Sequence, residues 1–331
     1  MKQPSLFEQL RMLTAMNYVA RCVHALVELA VADAIAADAV HVAALARTVG
    51  AHPEILERML RLTSPYGLFS VEHQLVSHTD MSRLLRADHP SSLRDFVRMI
   101  GLRVNWRAAE GLPHALRTGE APMSLHEPDG VWAHYAAHPD DARVFDASMS
   151  SRASLMLPAI QRAYDFSQFR TVADIGGGKG HLLKTILDGA PAVTGILFDL
   201  PHVVSAAREA DPHPRVQYVA GDFFTAELPE ADAYILMEIL HDWPDEAAER
   251  IVAAIRRAVP TGALLLLMEI VPADESTPQW ATTLDIVMLA HFGGKQRTRA
   301  EYDALLAKNH FSIRRDIPTN AGITIFEATA I

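Results

Sequence analysis

The chain has 331 residues, half of them hydrophobic and 21% charged, with a formal net charge of −10 at pH 7. This length and composition exclude a disordered, collagen-like or coiled-coil protein, and they suit two domains or one large domain with an appendage. Such an acidic chain would repel nucleic acid and anionic membranes, so neither is predicted as a partner.

Apolar residues at helical spacing dominate the first hundred residues. The predicted elements are helices over Leu6–Met16 and Tyr18–Ala37, a short helix from Val42 that Gly50 ends, a helix over Pro53–Leu62, and a hairpin from Gly67 to Val76. Helix, turn, helix, hairpin is the order of elements in a winged helix. We predict a winged-helix-like dimerisation domain over residues 1–98.

The apolar faces of these N-terminal helices need a partner to cover them, so we expect a homodimer that forms through them. A DNA-binding regulator is the remote alternative for a winged helix. Basic and acidic residues nearly balance between positions 41 and 100, which is not the pattern of a basic recognition face. The dimerisation role is therefore favoured.

Two features of this region bear on the location of the protein. The apolar stretch from Met12 to Ile35 is interrupted by charged residues such as Arg21 and Glu28, so no membrane span is predicted. Cys22 is the only cysteine, which excludes an intrachain disulfide. We therefore expect a reducing compartment, the cytoplasm.

Residues 99–164 again have a helical pattern, and we predict a helical connector there. From residue 165 to residue 331, apolar segments of strand length alternate with helical segments. The predicted strands are Thr171–Ile175, Val193–Phe198, Val216–Ala220, Ala233–Met237 and Ala263–Met268, followed by an antiparallel pair at Phe311–Ile317 and Ile323–Thr329. Continuous apolar strands with helical crossovers predict an α/β fold with a doubly wound, mostly parallel, seven-stranded sheet covered on both faces.

A glycine-rich segment, Asp174-Ile-Gly-Gly-Gly-Lys-Gly180, follows the first of these strands and opens a helix. Glycine allows a tight turn and lets a ligand approach the backbone closely. Nicotinamide enzymes use similar loops, so the glycines alone do not identify the cofactor. The negative charge of Asp174 would oppose a pyrophosphate but would suit a cation.

The next two strands also end in aspartates. Asp199 ends the second strand, where an acid can bind ribose hydroxyls, and Asp222 follows the third strand beside Phe223. An acid and an aromatic ring there can bind and cover an adenine. Each aspartate alone could be a helix cap or a turn residue, but three at successive strand ends favour a ligand. A ligand with a ribose, an adenine and a cationic end, but no phosphate, is S-adenosylmethionine.

We predict S-adenosylmethionine as the cofactor. The predicted cofactor-binding residues are Asp174, Gly176, Gly178, Asp199, Leu200, Asp222 and Phe223.

Four further segments follow the glycine loop in order and at suitable spacing. They are Phe198-Asp-Leu-Pro-His-Val203, Gly221-Asp-Phe-Phe224, Leu240-His-Asp-Trp243 and Gly293-Gly-Lys-Gln-Arg-Thr298. With the loop, they resemble the class I small-molecule O-methyltransferases of the plant caffeate type and their bacterial relatives in antibiotic biosynthesis. The resemblance covers essentially the whole chain and implies methyl transfer to a hydroxyl of a small, secondary-metabolite-like aromatic acceptor.

The resemblance implies that His241 is the proton acceptor, because the matching histidine has that role in the family. A structural or helix-capping histidine is the alternative. Glu269, at the end of the fifth strand, could hold the imidazole in one tautomer or could equally be a turn-facing acid. Asp242 could orient the loop or cap the following helix. We predict all three as catalytic residues.

One position departs from the resembled family. Many relatives have a glutamate that flanks the base, and here Gln296 stands at that position. A neutral amide can hydrogen-bond a histidine but cannot stabilise its charged form. We therefore expect a weaker base than in the plant enzymes, or an acceptor that is already acidic.

The resemblance also implies an acceptor pocket to which the connector contributes. The predicted substrate-binding residues are Phe145, Met149, Met288, His291 and Phe292, with ordinary core packing as the alternative for each.

An alternative function rests on His291. With His241 and Asp242, it would give two histidines and one carboxylate, a set that can hold a metal ion. A metal there could favour the enol of a bound 2-oxo acid, and the methyl group would then go to carbon.

Overall fold

The computed structural model describes residues 5–260, 262–273 and 279–331. These form two compact units that interleave along the chain. The first consists of the chain up to Trp106 together with Tyr135–Arg152, and the second of Arg107–His134 and Ala153–Ile331. The domain boundaries expected after residues 98 and 164 stay a prediction.

The first unit is mainly helical and contains a small antiparallel sheet. Its helices are α1 (Leu6–Thr14), α2 (Met16–Glu28), α3 (Val42–Val49), α4 (Pro53–Thr63), α5 (Asp80–Arg83) and α6 (Arg94–Gly101), with part of α7 (Arg103–Glu110). Strands β1 (Val40–His41), β2 (Ser70–Glu72) and β3 (Leu75–Ser77) pair in the order β1-β3-β2.

The predicted hairpin is confirmed by the antiparallel pairing of β2 and β3. The helix predicted to continue to Ala37 is wrong beyond Glu28, because the backbone turns at Ala30, whose φ is +51°. Leu26, Leu45 and Phe69 are among the buried residues of the core of this unit. The winged-helix assignment itself stays a prediction.

The second unit is built around the large sheet. Its helices, with α9 and α10 shared between the units, are α8 (Leu112–Thr118), α9 (Gly130–Ala137), α10 (Pro139–Ala163), α11 (His181–Gly189), α12 (Pro201–Ala210), α13 (Asp245–Ala258), α14 (Trp280–Phe292) and α15 (Arg299–Lys308). Its strands are β4 (Thr171–Ile175), β5 (Thr194–Asp199), β6 (Val216–Ala220), β7 (Ala233–Met237), β8 (Leu264–Glu269), β9 (Phe311–Pro318) and β10 (Thr324–Ala330).

The strand order is β6-β5-β4-β7-β8-β10-β9. The first five strands are parallel, and β10 pairs antiparallel with both β8 and β9. The predicted seven-stranded, mostly parallel sheet is thus confirmed. Val172 and Ala173, on opposite faces of β4, are both fully buried and lie in separate core clusters, as expected for a sheet covered on both sides.

The chain order of the strands reverses between β4 and β7. Ligands of open α/β sheets bind at such a point, beside the carboxyl ends of the strands. The ends of β4, β5, β7 and β8 carry the glycine loop, Asp199, the segment before His241, and Glu269. No helix in the described part of the chain combines the length and apolar character needed to cross a membrane.

Candidate active site

The glycine loop joins β4 to α11 as a tight turn. Gly176, Gly178 and Gly180 all have left-handed backbone, with φ of +73°, +56° and +74°, a conformation that glycine adopts without steric cost. A Cβ at Gly177, which links two of them, would lie 2.6 Å from Oδ2 of Asp174. The loop therefore closes over the Asp174 carboxylate, which is itself buried.

Asp199 fixes the other side of this loop. Its Oδ2 accepts a hydrogen bond from the Gly178 N–H at 2.8 Å, and its Oδ1 accepts one from the Leu200 N–H at 2.7 Å. Five of the predicted cofactor residues, Asp174, Gly176, Gly178, Asp199 and Leu200, thus lie together at the ends of β4 and β5. In contrast, no atom of the described part of the chain, apart from the adjacent residues, lies within 4 Å of the place where a Cβ on Gly178 would be. This part of the loop is therefore open to a ligand.

The pKa values of the Asp174 and Asp199 carboxyl groups are both raised. Burial, together with the charge of Asp199, raises the pKa of Asp174 to about 7. Burial also raises the pKa of Asp199, although the hydrogen bonds from the N–H groups of Gly178 and Leu200 act to lower it. Two neighbouring buried carboxylates favour a cationic ligand, because a positive charge would offset their mutual repulsion. The residues present therefore fit a sulfonium cofactor.

Asp222 and Phe223 lie on the turn after β6. The Asp222 side chain accepts a hydrogen bond from the Phe224 N–H at 2.9 Å, which fixes the turn. Phe223 makes edge contacts with Phe224 and Trp243, at centroid distances of 4.8 and 6.0 Å. A ring carbon of Phe223 also lies 3.9 Å from where a Cβ of Gly176 would be. The ring of Phe223 therefore lies beside the glycine loop.

The predicted base and its carboxylate partner lie together. Nδ1 of His241 is 3.3 Å from Oε2 of Glu269, and Nε2 is 3.4 Å from Oδ1 of Asp242. Glu269 is fully buried, and its Oε1 accepts a hydrogen bond from the Leu240 N–H at 3.1 Å. Glu269 therefore holds the main chain of the 3-10 turn Leu240–Asp242 through this hydrogen bond, and its second oxygen lies beside the imidazole.

This environment makes His241 more basic than an ordinary histidine. Burial opposes its charged form, but the carboxylate of Glu269, assisted by those of Asp242 and Glu238, outweighs burial and raises the pKa to about 9. Glu238 lies at the end of β7 with a left-handed φ of +54°. The neighbouring carboxylates therefore favour the protonated form of the imidazole. The expectation of a base weaker than that of the plant enzymes stays a prediction.

The segment Gly293–Thr298 holds the His241 turn in place. The Lys295 N–H donates to the carbonyl of His241 at 2.9 Å. The guanidinium of Arg297 is buried and donates to the carbonyls of Leu240 at 2.7 Å and Trp243 at 2.9 Å. Sequence reasoning missed Arg297. The motif was visible, but nothing in it indicated which residue would contact the turn.

Gln296 lies in the middle of this segment. Its N–H donates to Oδ1 of Asp285 on α14 at 2.8 Å. Its side chain is 3% exposed, and both polar atoms of the carboxamide lack a hydrogen-bond partner among the described residues. The amide therefore makes no hydrogen bond to His241.

The five predicted acceptor residues belong to both units. Phe145 and Met149 lie on α10 in the first unit, where Phe145 stacks on Tyr135 at 4.7 Å. Met288, His291 and Phe292 lie on the last turns of α14 in the second unit. Phe292 packs against Trp132 at a centroid distance of 5.7 Å.

His291 is oriented by its own helix. Its Nδ1 lies 2.8 Å from the carbonyl oxygen of Val287, and burial lowers the pKa of the imidazole. Among the described residues, no group of three His, Cys, Asp or Glu side chains could hold a metal ion. The set of His241, Asp242 and His291 is therefore not formed, and metal-assisted methylation of carbon is not supported.

Comparisons with known proteins identify the family of this chain. Residues 112–312 match the model of the O-methyltransferase domain, and residues 12–88 match that of the O-methyltransferase dimerisation domain. The chain is 35% identical to a phenazine O-methyltransferase of Lysobacter antibioticus, over 97% of this chain and 95% of the relative. It is 33% identical to a mitomycin biosynthesis 6-O-methyltransferase of Streptomyces lavendulae, over 92% of this chain and 88% of the relative.

A solved structure is similar over nearly the whole chain. It is an O-methyltransferase from neocarzinostatin biosynthesis in complex with S-adenosylmethionine and 2-hydroxy-5-methyl naphthoic acid. The TM-score is 0.79 at 31% identity, with 94% of this chain and 96% of that chain covered. The chain belongs to the family of S-adenosylmethionine-dependent O-methyltransferases.

Proposed function

We propose that this enzyme methylates a hydroxyl of a small aromatic, secondary-metabolite-like acceptor, with His241 as the general base. The observation that carries the proposal is the buried pair of His241 and Glu269, 3.3 Å apart, at the sheet edge that also holds the glycine loop. The names of the relatives support an aromatic acceptor, since they include a phenazine and a naphthoate enzyme.

When bound, S-adenosylmethionine supplies a methyl group on a positively charged sulfur. We assign its binding to Asp174, Gly176, Gly178, Asp199, Leu200, Asp222 and Phe223. Asp199 is suited to the ribose hydroxyls, because a carboxylate at the end of this strand can accept hydrogen bonds from them. Phe223 is suited to covering the adenine, since its ring lies beside the loop. The buried carboxylates provide the negative charge that a sulfonium prefers.

His241 acts on the proton of the acceptor hydroxyl. Glu269 faces Nδ1, so Nε2 is the nitrogen that can accept a proton from the acceptor. Asp242 lies beside Nε2 and would hold the imidazole in place until the acceptor arrives. Because a phenol is a weak nucleophile until it loses its proton, removal of that proton contributes to the rate, and burial of the pair excludes competing water.

A transfer assay with a labelled methyl group tests this function. The purified protein is incubated with labelled S-adenosylmethionine and a panel of hydroxynaphthoates, hydroxyphenazines and simple phenols, and calorimetry measures binding of S-adenosylhomocysteine. We expect label in an aryl methyl ether and binding of the product cofactor. Absence of binding would contradict the cofactor, and binding with no transfer to any aromatic hydroxyl would contradict the acceptor class.

The raised pKa of His241 predicts the pH dependence of the reaction. Only the neutral imidazole accepts a proton, and the pKa is about 9. With saturating cofactor, kcat/KM should therefore rise with pH up to about pH 9 and then level off. Glu269→Gln removes the main charge that raises this pKa, so the rise should move to lower pH in that variant. The pH at which kcat/KM levels off should be the same for acceptors with different phenol pKa values. A kcat/KM that does not change between pH 6 and pH 9 would contradict the assignment.

We also propose that the enzyme is a homodimer that forms through its N-terminal helices. The dimerisation-domain match over residues 12–88 supports this, as does α1, which buries none of its residues and exposes Leu6, Phe7 and Leu10. Light scattering should give twice the 36.4 kDa mass of one chain. A monomer at micromolar concentration would be inconsistent with this arrangement.

The single cysteine, Cys22, supports a cytoplasmic location.

A further inference from the structure

An apolar groove lies on the surface of the first unit. Its volume is about 210 Å³, and its walls come from α2, the end of α4, α5, α6 and the segments that connect them. The lining side chains include Val19, Val23, Leu68, Met81 and Val97. The lining is almost entirely apolar, and Met81 at its rim is half exposed. Apolar surface of this kind marks a place where another apolar element packs.

Helix α1 carries a complementary surface. An apolar stripe along it consists of Leu6, Phe7, Leu10 and Leu13. These positions recur at helical spacing, so they lie on one face of the helix. Each is at least 63% exposed, and no residue of α1 is buried. Because a helix of nine residues is marginal in water by itself, the stripe needs a surface to pack against.

The connection between α1 and α2 keeps α1 out of the groove of its own chain. Only Ala15 separates the two helices, and α2 carries Val19 and Val23 in the wall of the groove. Antiparallel helices that pack against each other are joined by about 2–5 residues. With a single residue between them, α1 does not fold back along α2. The occupant of the groove therefore comes from a second chain.

We propose that α1 of a second copy of this chain lies in the groove, with its apolar stripe against the groove wall. In a two-fold dimer the same contact forms twice, so each α1 fills the groove of the other chain. The dimerisation-domain match over residues 12–88 includes most of the groove but not residues 6–11 of α1. The inference rests on the proposed homodimer and identifies the surfaces that form it. It does not depend on methyl transfer.

Two substitutions on α1 test which of its faces forms the contact. Leu10→Ala shortens a side chain of the apolar stripe, and Met12→Ala is the matched control. Met12 is 52% exposed and lies about 200° around the helix from Leu10, so it faces away from the stripe. Light scattering and sedimentation over a range of concentrations measure the dissociation constant of the dimer.

We expect Leu10→Ala to raise this dissociation constant by at least about 100-fold, because two buried leucines are shortened in each dimer. Met12→Ala should leave it within about fivefold of wild type, as is typical of an exposed position.

Cross-linking tests whether the groove is the surface that α1 contacts. Cys22 is the only cysteine, so Cys22→Ser provides a background without thiols. In that background, Gln9→Cys places a thiol beside the stripe without changing it, and Met81→Cys places one at the rim of the groove. A short bismaleimide joins the two thiols and tolerates small shifts of α1 along the groove. We expect a covalent dimer from the chain with both cysteines and far less from either single-cysteine chain.

Three results would overturn the inference. The first is a link within one chain, seen as a monomer of increased mass, because α1 would then cover its own groove. The second is no link in a chain that light scattering shows to be dimeric, in which case the homodimer stands but uses another surface. The third is an equal effect of Leu10→Ala and Met12→Ala. A monomeric wild type would contradict the homodimer and this inference together, while the labelled-methyl assay decides methyl transfer separately.

Discussion

Replacing His241 with alanine is expected to lower kcat by about 10²–10⁴-fold, the contribution typical of a positioned general base. Binding of S-adenosylhomocysteine, measured by calorimetry, should stay within a few-fold of wild type, because the assigned cofactor residues belong to other strand ends. Single-turnover measurements at saturating cofactor and acceptor would separate the chemical step from product release.

The control for His241→Ala is a second variant that also neutralises Glu269, the buried carboxylate that loses its partner. Glu269 is fully buried, and without the imidazole its charge loses its ionic partner, which destabilises a fold by several kcal/mol. The double variant His241→Ala, Glu269→Gln should recover thermal stability but not activity. A kcat of the single variant within about threefold of wild type would show that another group accepts the proton.

Gly294→Ala is expected to lower kcat by about 100-fold or more, although residue 294 has no chemical function. A Cβ there would lie 2.1 Å from the carbonyl oxygen of His241 and 2.7 Å from the carbonyl carbon of Asp242. The turn cannot easily yield, because Arg297 and Glu269 hold its main chain. Displacement of the base by about 1 Å is enough for a loss of this size.

Gly189→Ala is the matched control for that substitution. A Cβ at Gly189 would also lie 2.1 Å from its nearest atom, but that atom is Nε2 of Gln161, the far end of a flexible side chain. Its kcat and melting temperature should be close to those of wild type. If Gly294→Ala were equally harmless, the contact between the two segments could not be what positions His241.

Much of the fold could be predicted from local patterns. The central strands of the large sheet, such as β7 and β8, are apolar on both faces and are separated by a helical segment. This pattern predicted a parallel, covered sheet and placed Asp199 at a strand end. The roles of individual side chains depend on pairings that are distant along the chain. Glu269 could be a turn residue or a partner of His241 until the order β7-β8 placed the two together.

Two further details were beyond sequence reasoning for different reasons. The end of α2 at Glu28 depends on a left-handed Ala30, and alanine gives no signal of such a turn. The close contact between Gly294 and His241 joins residues that are far apart in the sequence. The motif that contains Gly294 was evident, but its function as a support for the base depends on tertiary packing.

Glu238 bears on any attempt to make this enzyme more heat-resistant. Its left-handed backbone costs about 1–2 kcal/mol for a residue other than glycine, and its φ is +54°. A design procedure that ranks substitutions by stability alone would therefore select glycine at this corner. That choice would also remove one of the carboxylates that raise the pKa of His241. The gain in stability would therefore come with a lower pKa of the imidazole.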